Sequence, residues 1–575
     1  MNRRVGLTVH FALWWALLGA GSSGPAWSQP STGTEGMVVA SQADAADAGL
    51  AMLEAGGNAV DAAVATAFAL AVTQPFSAGL GGGVFLVGRT DSGEYFALDA
   101  RETAPGAADR DMYVRPGVDS RASLSGGLAV ATPGFIRGLA MALDLWGTLA
   151  LPAVLAPAIR LADEGFAIGP YHARMLERLS QMGLPAAFPE TARIQFPADG
   201  AAAEPGWVLR QRDLAESLRR LATEGSDVFY TGEIGARIAA AVKLHGGVLS
   251  PEDLAGYTPK LRQPVTGSYR GLEVVSFPPP SSGGAVLVEI LNILEGFDLA
   301  EAGPVDERTA HRIVEAMKLA FADRAAWFGD PDFVDVPVAR LTSKPYADTL
   351  RRRIVPPFWR RERAIEVEGP GLPQNDSGTT HLSTSDGRGG AVALTMTINT
   401  PFGSGITVPG TGIVLNNEMD DFSKAIGRPN VYGLVDERGA NAIAPGKRPL
   451  SSMTPTIVSR DGRPFMVTGS PGGPRIITTT LLTILNVMDF GMDVQEAVAA
   501  PRYHHQWLPN KVYAESGLDE SIVAGLRKRG HEVEVADRTW SSAQAIVIDS
   551  KTGAHLGGSD PRGDGAARGY NPKKP

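Results

Sequence analysis

The spacing of apolar positions sets out the first elements. Met37 to Ser41 reads as a short strand and Asp44 to Glu54 as an alanine-rich helix, stopped by Gly56-Gly57, where glycine tolerates the left-handed cap. Asn58 to Val72 is apolar almost all round, which predicts a buried helix. Val84 to Val87 and Glu94 to Asp99 predict a hairpin about Asp91-Ser92-Gly93. Residues 133–350 read as mainly helical, with helices near 134–146, 151–164, 211–223, 285–296 and 307–327. Arg351, Arg352 and Arg353 open a polar, proline-containing stretch to Gln374 with no period, which reads as an exposed linker. Strand patterns dominate from 379 to 470, and helix then returns. Gly569 to Pro575 reads as a polar tail, and no repeat of fixed period is present.

One hairpin carries more than its fold. Val392, Leu394, Met396 and Ile398 alternate onto one face, and Thr395, Thr397 and Asn399 onto the other. Folding the segment about Arg388 places Thr379 opposite Thr397. Thr379, His381 and Ser383 then share a face, with Thr380 pointing the other way. Two hydroxyls meet across the ladder with Asn399 nearby. Threonine is also simply a good strand residue, so the hairpin alone leaves both readings open.

Composition narrows the class. The chain has 575 residues, and length alone predicts roughly three to four domains. With 44% hydrophobic and 20% charged residues and a mean hydropathy of −0.03, it is neither disordered, collagenous nor polytopic in a membrane. The 53 basic and 62 acidic residues leave −9, with no long basic block, which argues against a nucleic-acid partner. There is no cysteine, so disulfides, thiolate catalysis and cysteine metal sites are excluded. Residues 1–28 read as a secretory signal peptide. Arg3-Arg4 precede the apolar run Val5 to Leu18, and Ala26-Trp27-Ser28 is a small-x-small cleavage site, leaving Gln29 first. Its removal makes the protein more acidic and leaves no stretch of about 18 uninterrupted apolar residues, so no membrane association is expected afterwards. Gly79-Leu80-Gly81-Gly82-Gly83 lies between a helix and a strand. A phosphate loop needs strand then helix and a Lys-Ser/Thr pair, so close backbone packing is the better account.

A threonine that opens a strand just after a linker invites a chemical reading. Its hydroxyl is a weak nucleophile, and a free amine on the same residue is a suitable base, with an unperturbed pKa of about 7.7–8.0. That amine exists only if the chain is cut before it. Thr379 Oγ would attack the Gly378 carbonyl, water would hydrolyse the ester, and Gly378 allows unusual backbone geometry at the bond.

Thr379-Thr380-His381 through Phe422 resembles gamma-glutamyltransferase, or glutathione hydrolase, an N-terminal-nucleophile hydrolase family. The resemblance spans nearly the whole chain. It includes Gly56 to Ala63, Asp99-Ala100-Arg101-Glu102-Thr103-Ala104-Pro105 and Leu415 to Phe422. It continues in Lys447 to Met453, Thr468-Gly469-Ser470-Pro471-Gly472-Gly473, Tyr503 to Trp507 and Ser559-Asp560-Pro561-Arg562.

The resemblance implies an α+β fold, a four-layer αββα sandwich with two central sheets between helices. It implies a signal peptide at 1–28, a large subunit at 29–378 and a small subunit at 379–575, cut between Gly378 and Thr379 and staying together as a heterodimer. Thr379 matches the nucleophile and Thr397 the threonine bonded to it. Gly472 and Gly473 match the oxyanion-hole pair; the sequence supports this independently, since Pro474 can open a helix over Arg475 to Met488 whose N-terminus favours an anion. Arg101 matches the arginine on the donor's α-carboxylate, with Ser451 and Ser452 as hydroxyl partners. Asn399, Glu418 and Asp421 match the groups around the α-ammonium. Pro429 to Val435 resembles the lid loop of bacterial members, with Tyr432 at its tip. The implied donors are glutathione and other gamma-glutamyl compounds; the acceptors are water, amino acids or peptides. No metal or organic cofactor is implied: Asp420-Asp421 lack further ligands at a recognised spacing, and the adjacent His504-His505 read as structural. A periplasmic or secreted location follows.

Three alternatives remain in the sequence. One is a glutaryl or cephalosporin acylase on the same fold, against which the intact Arg101, Ser451-Ser452, Glu418 and Asp421 set argues. The second is a gamma-polyglutamate-processing relative, and the third an uncleaved periplasmic binding protein for gamma-glutamyl peptides.

Overall fold

The computed structural model describes residues 29–355, 361–369 and 378–572. The signal segment and most of the stretch just before Gly378 lie outside the described residues.

Local signals place the first helices as expected. Gln42 caps Ala43–Glu54, and Asn58 caps Ala59–Thr73 by accepting from the Val60 and Asp61 amides while the Asp61 carboxylate returns to the Asn58 amide. The second helix is buried on every face. Helices at Phe135–Trp146, Leu151–Glu164, Arg212–Glu224, Gly283–Leu294 and Glu307–Trp327 lie within a few residues of the predicted ones.

Two seven-stranded antiparallel sheets form the centre. The first runs Ser31–Gly33, His555–Ser559, Gln544–Ile548, Arg463–Gly469, Thr456–Arg460, Leu272–Ser276 and Val265–Tyr269. The second runs Ala566–Tyr570, Gly36–Ala40, Thr379–Asp386, Ala391–Thr397, Gly83–Arg89, Tyr95–Ala100 and Lys260–Arg262. Three apolar cores stack them into the expected four layers. Leu394, Met396 and Leu382 of the second sheet pack on the helices near the N-terminus. Phe85, Val39, Ile457 and Val467 fill the space between the sheets, with Phe85 stacked on Phe277 at 4.0 Å. Val458 and Met466 of the first sheet pack on Gly283–Leu294, Glu307–Trp327 and Arg475–Met488. Segments far apart in sequence alternate within both sheets, so the several domains suggested by length are not seen.

Two predicted segments differ. Arg351 to Arg353 belong to the last turn of a helix, Lys344–Ile354, whose buried Ala347, Leu350 and Ile354 recur at helical spacing. The linker is also docked in part: Lys318 Nζ donates to the Ile365 carbonyl at 2.8 Å, and the Ala364 amide to Arg529 at 2.8 Å. Gly569 and Tyr570 are not tail but the end of an edge strand paired to Gly36–Ala40. A small polar strand on an edge carries little apolar period to read.

Candidate functional site

The predicted hairpin register is the observed one, with Thr379 opposite Thr397 and His381 opposite Thr395. Val392, Leu394 and Met396 turn to the helices. The polar face turns to the other sheet, where His381 bonds Thr395 Oγ1 at 2.8 Å and Ser383 Oγ donates to the Gln544 carbonyl at 3.1 Å. Burial lowers the His381 pKa to about 3, so the ring is neutral, a strut between strands.

At the open end of this face Thr379 Oγ1 lies 3.1 Å from Thr397 Oγ1. Thr397 Oγ1 donates to the Gly378 carbonyl at 2.9 Å and accepts from the Asn399 amide at 2.8 Å. With that hydroxyl proton committed to Gly378, Thr379 must be the donor between the two threonines. Gly378 has φ +115, and a Cβ there would collide with the Asn399 carbonyl. The glycine loop at 79–83 supports the same place by close packing, as its sequence suggests. A Cβ on Gly82 would collide with the Thr397 carbonyl, and Asn416 Nδ2 donates to Gly81 O at 2.7 Å.

Facing the threonines is a buried charge cluster. Arg101, at the end of strand Tyr95–Ala100, gives Nη1 to Glu418 Oε1 at 2.8 Å and Nη2 to Asp421, with Glu102 Oε2 3.6 Å from Nη1. Glu418 and Asp421 stand on one 3₁₀ turn, held by the Glu418 amide donating to Asn416 Oδ1 at 3.0 Å. Burial raises the pKa of Asp421 to about 6, against the opposing pull of Arg101. The residues expected to meet opposite ends of a substrate thus meet each other here.

Thr379, Thr397, Asn399, Arg101, Glu418, Asp421, Tyr432, Ser451, Ser452 and Gly473 line one pocket. Gly472 and Gly473 have φ of +132 and +55 and precede the helix Arg475–Met488; Pro474 is its N-cap rather than its first residue. Gly473 reaches the pocket lining, and Gly472 does not. Ser451 Oγ accepts from the Met453 amide at 3.1 Å. Asn399, at φ +77, gives Nδ2 to Asn417 O at 2.9 Å and takes the Tyr432 hydroxyl on Oδ1 at 2.6 Å, so its side chain is already engaged. Tyr432 is thereby held at the pocket that the threonines line.

Sequence reasoning missed three supports. Asp420 takes Ser123 Oγ at 2.6 Å and the Val431 amide at 3.1 Å, which ties the turn to the Tyr432 loop. Gln506 Nε2 donates to Tyr432 O at 3.0 Å, and His504 joins Gln506 to Thr478 of the glycine-pair helix. Arg324, on Glu307–Trp327, lines the same pocket. Each makes long-range contacts to which local pattern is blind. One trio, His311, Glu315 and His531, has metal-ligand spacing, but Lys318 Nζ already supplies Glu315 with a cation at 2.9 Å and the two rings hydrogen-bond at 2.8 Å.

Glu102 gives a stability prediction. Neither carboxylate oxygen has a hydrogen-bond partner, and burial, only partly offset by Arg101, pushes the pKa up to about 8. The folded state therefore binds this proton more tightly than the unfolded chain, for which 4.5 is the ordinary value. Stability due to this group is complete below about 4.5 and is lost as pH rises through about 8. Glu102→Gln should flatten the fall of Tm across that window and gain most on the wild type above pH 8. Parallel Tm curves for the two proteins would count against it.

The family profile described as Gamma-glutamyltranspeptidase matches residues 45–570. The chain is 44% identical over 545 residues to the glutathione hydrolase proenzyme of Escherichia coli (strain K12), covering 94% of this chain and 93% of that one. It is 39% identical over 532 residues to the acylase ACY 1 proenzyme of Pseudomonas sp. (strain SE83), covering 91% of each. The crystal structure of cephalosporin acylase from Bacillus halodurans superposes with a TM-score of 0.83 at 32% identity, covering 97% of this chain and 99% of that one.

Proposed function

The chain belongs to the gamma-glutamyltranspeptidase family, and we propose that Thr379 is its nucleophile, released by cleavage of the Gly378–Thr379 bond. The protein is an enzyme of glutathione hydrolase and gamma-glutamyltransferase type with an N-terminal-nucleophile fold. The observation that carries the residue assignment is the hydroxyl relay from Thr379 through Thr397 to the Gly378 carbonyl, at 3.1 and 2.9 Å.

In the uncut chain Thr379 Oγ attacks the Gly378 carbonyl carbon as its proton passes to Thr397, whose own proton is already aimed at the carbonyl oxygen. The C–N bond then breaks, the nitrogen leaves protonated, and an ester joins Gly378 to Thr379. Water hydrolyses the ester, leaving a Gly378 carboxylate and a free Thr379 amine. That amine serves as base in the ping-pong cycle: Oγ attacks the gamma-glutamyl amide, the Gly472 and Gly473 amides hold the oxyanion, and cysteinylglycine or another amine leaves. Water then gives glutamate, or an amino acid or peptide takes the acyl group.

The donor's free end is a zwitterion. It would enter between charges that now neutralise one another, its carboxylate to Arg101, Ser451 and Ser452 and its ammonium to Glu418 and Asp421. A glutaryl acyl chain lacks the ammonium and would leave two buried carboxylates without a new partner. This favours a gamma-glutamyl donor over the acylase reaction named for some relatives. Tyr432, held by Asn399, would close over the acyl-enzyme.

The mature protein is then a heterodimer of 29–378 and 379–575. Strands from both sides of the cut alternate in both sheets, so the pieces stay together without a disulfide. Export to the periplasm follows from the signal segment. No helix among the described residues is long and apolar enough to cross a membrane.

Mass spectrometry of the mature protein should find N-termini at Gln29 and Thr379 in pieces that co-elute. Hydrolysis of glutathione should exceed that of a glutaryl amide, and glycylglycine should add transfer. A single uncut chain, or preference for the glutaryl amide, would overturn the proposal.

A further inference from the structure

Arg101 is surrounded by acids: Glu418 at 2.8 Å, Asp421 in direct contact and Glu102 at 3.6 Å. Its charge is spent before any substrate arrives. Arg324 is its opposite. It is 4% exposed, lines the same pocket, and has no carboxylate within 4.0 Å among the described residues. Its hydrogen bonds go to two hydroxyls, Nε to Ser282 Oγ at 3.0 Å and Nη2 to Ser452 Oγ at 3.4 Å. Burial lowers its pKa to about 10, with Asp421 and Asp436 pulling the other way, so it is charged at neutral pH.

A buried guanidinium is costly unless an anion completes it. The fold spends that cost at the wall of the pocket, beside the serine pair. Arg101 faces Glu418, Asp421 and Glu102, whereas Arg324 adds to the same pocket a cation with no such partner among the described residues.

We propose that Arg324 is a specificity-determining residue whose guanidinium, with Ser452, receives the α-carboxylate of the donor. This rests on the gamma-glutamyl reading above and adds a second cation to it. A planar fork suits this place, because Nη2 already reaches Ser452 and both residues line the pocket.

The test compares two donors with the same anilide, one gamma-glutamyl and one 4-aminobutyryl, which lacks only the α-carboxylate. Arg324→Met should raise KM for the gamma-glutamyl donor by about ten- to a hundredfold, the range for a hydrogen bond to a charged group, with a smaller change in kcat. The 4-aminobutyryl donor should change little, so the preference between donors collapses; Arg324→Lys should restore part of it. Equal losses on both donors, or a preserved preference, would overturn the proposal and give Arg324 a structural role only. If Arg324→Met is not cut at 378/379, the same comparison on Arg324→Lys decides, with a KM shift confined to the gamma-glutamyl donor as the expected result. A wild type with no preference for the gamma-glutamyl donor would instead sink the functional reading on which this rests.

Discussion

Thr379→Ala is expected to leave one uncut polypeptide and to abolish amidase activity together. The alanine removes the attacking oxygen, and without cleavage no N-terminal amine exists to act as base. Removing a nucleophile that works as a unit with its base costs about six orders of magnitude in turnover. The uncut variant should still fold, since alanine is tolerated in a buried strand and Thr397 keeps its bonds to Gly378 O and the Asn399 amide. A gel shows one band in place of two, and hydrolysis of a gamma-glutamyl anilide falls to background. Thr379→Ser keeps hydroxyl and amine and should be cut and retain part of the activity. An alanine variant that still matures at 378/379 would remove Thr379 from the mechanism.

The second large effect belongs to Arg101. Arg101→Met fills much of the same space but strands Glu418 and Asp421, both buried. Removing one partner of a buried ion pair costs about 3–5 kcal/mol, because the remaining charge has neither water nor partner. Losing the cation lets burial raise both carboxyl pKa values further, so the penalty grows with pH once the carboxylates must ionise. The variant should melt well below wild type at pH 8 and closer to it at pH 5, with KM for gamma-glutamyl donors raised steeply. Arg101→Lys restores the charge without the fork and should recover stability more than affinity. Equal melting temperatures for Arg101→Met and wild type at pH 8 would show that the cluster is not the buried network described.

The central hairpin was legible because its period of two is strict and its turn is short. Thr379 opposite Thr397 follows from counting, and the structure has that register. The buried helix at Ala59–Thr73 and its Asn58 cap were legible for similar local reasons. The charge cluster was legible only through resemblance, since Arg101 and Glu418 are 317 residues apart. Resemblance also assigned them separate tasks, whereas the structure has them bonded to each other. Arg324 had no signal: it sits in an ordinary-looking helix and acquires its meaning from strands and loops far along the chain. Gln506 lies in a matched segment, Tyr503 to Trp507, but its bond to Tyr432 O, 74 residues away, leaves no local pattern. Tyr570 was misread as tail because an edge strand with one neighbour does not need an apolar face.

The edge strand has a wider meaning. The Thr34 and Glu35 amides donate to Tyr570 O at 3.1 and 3.0 Å, and Asn571 bonds back to Thr32. The first and last described residues are therefore side by side, and the polypeptide between them runs as a nearly closed ring. The proposed cut before Thr379 would reopen the ring elsewhere, as a circular permutation does. A chain begun at Thr379, with residue 572 joined to residue 29 by a short linker, would have the mature site's free amine from the start and would not need to cleave itself.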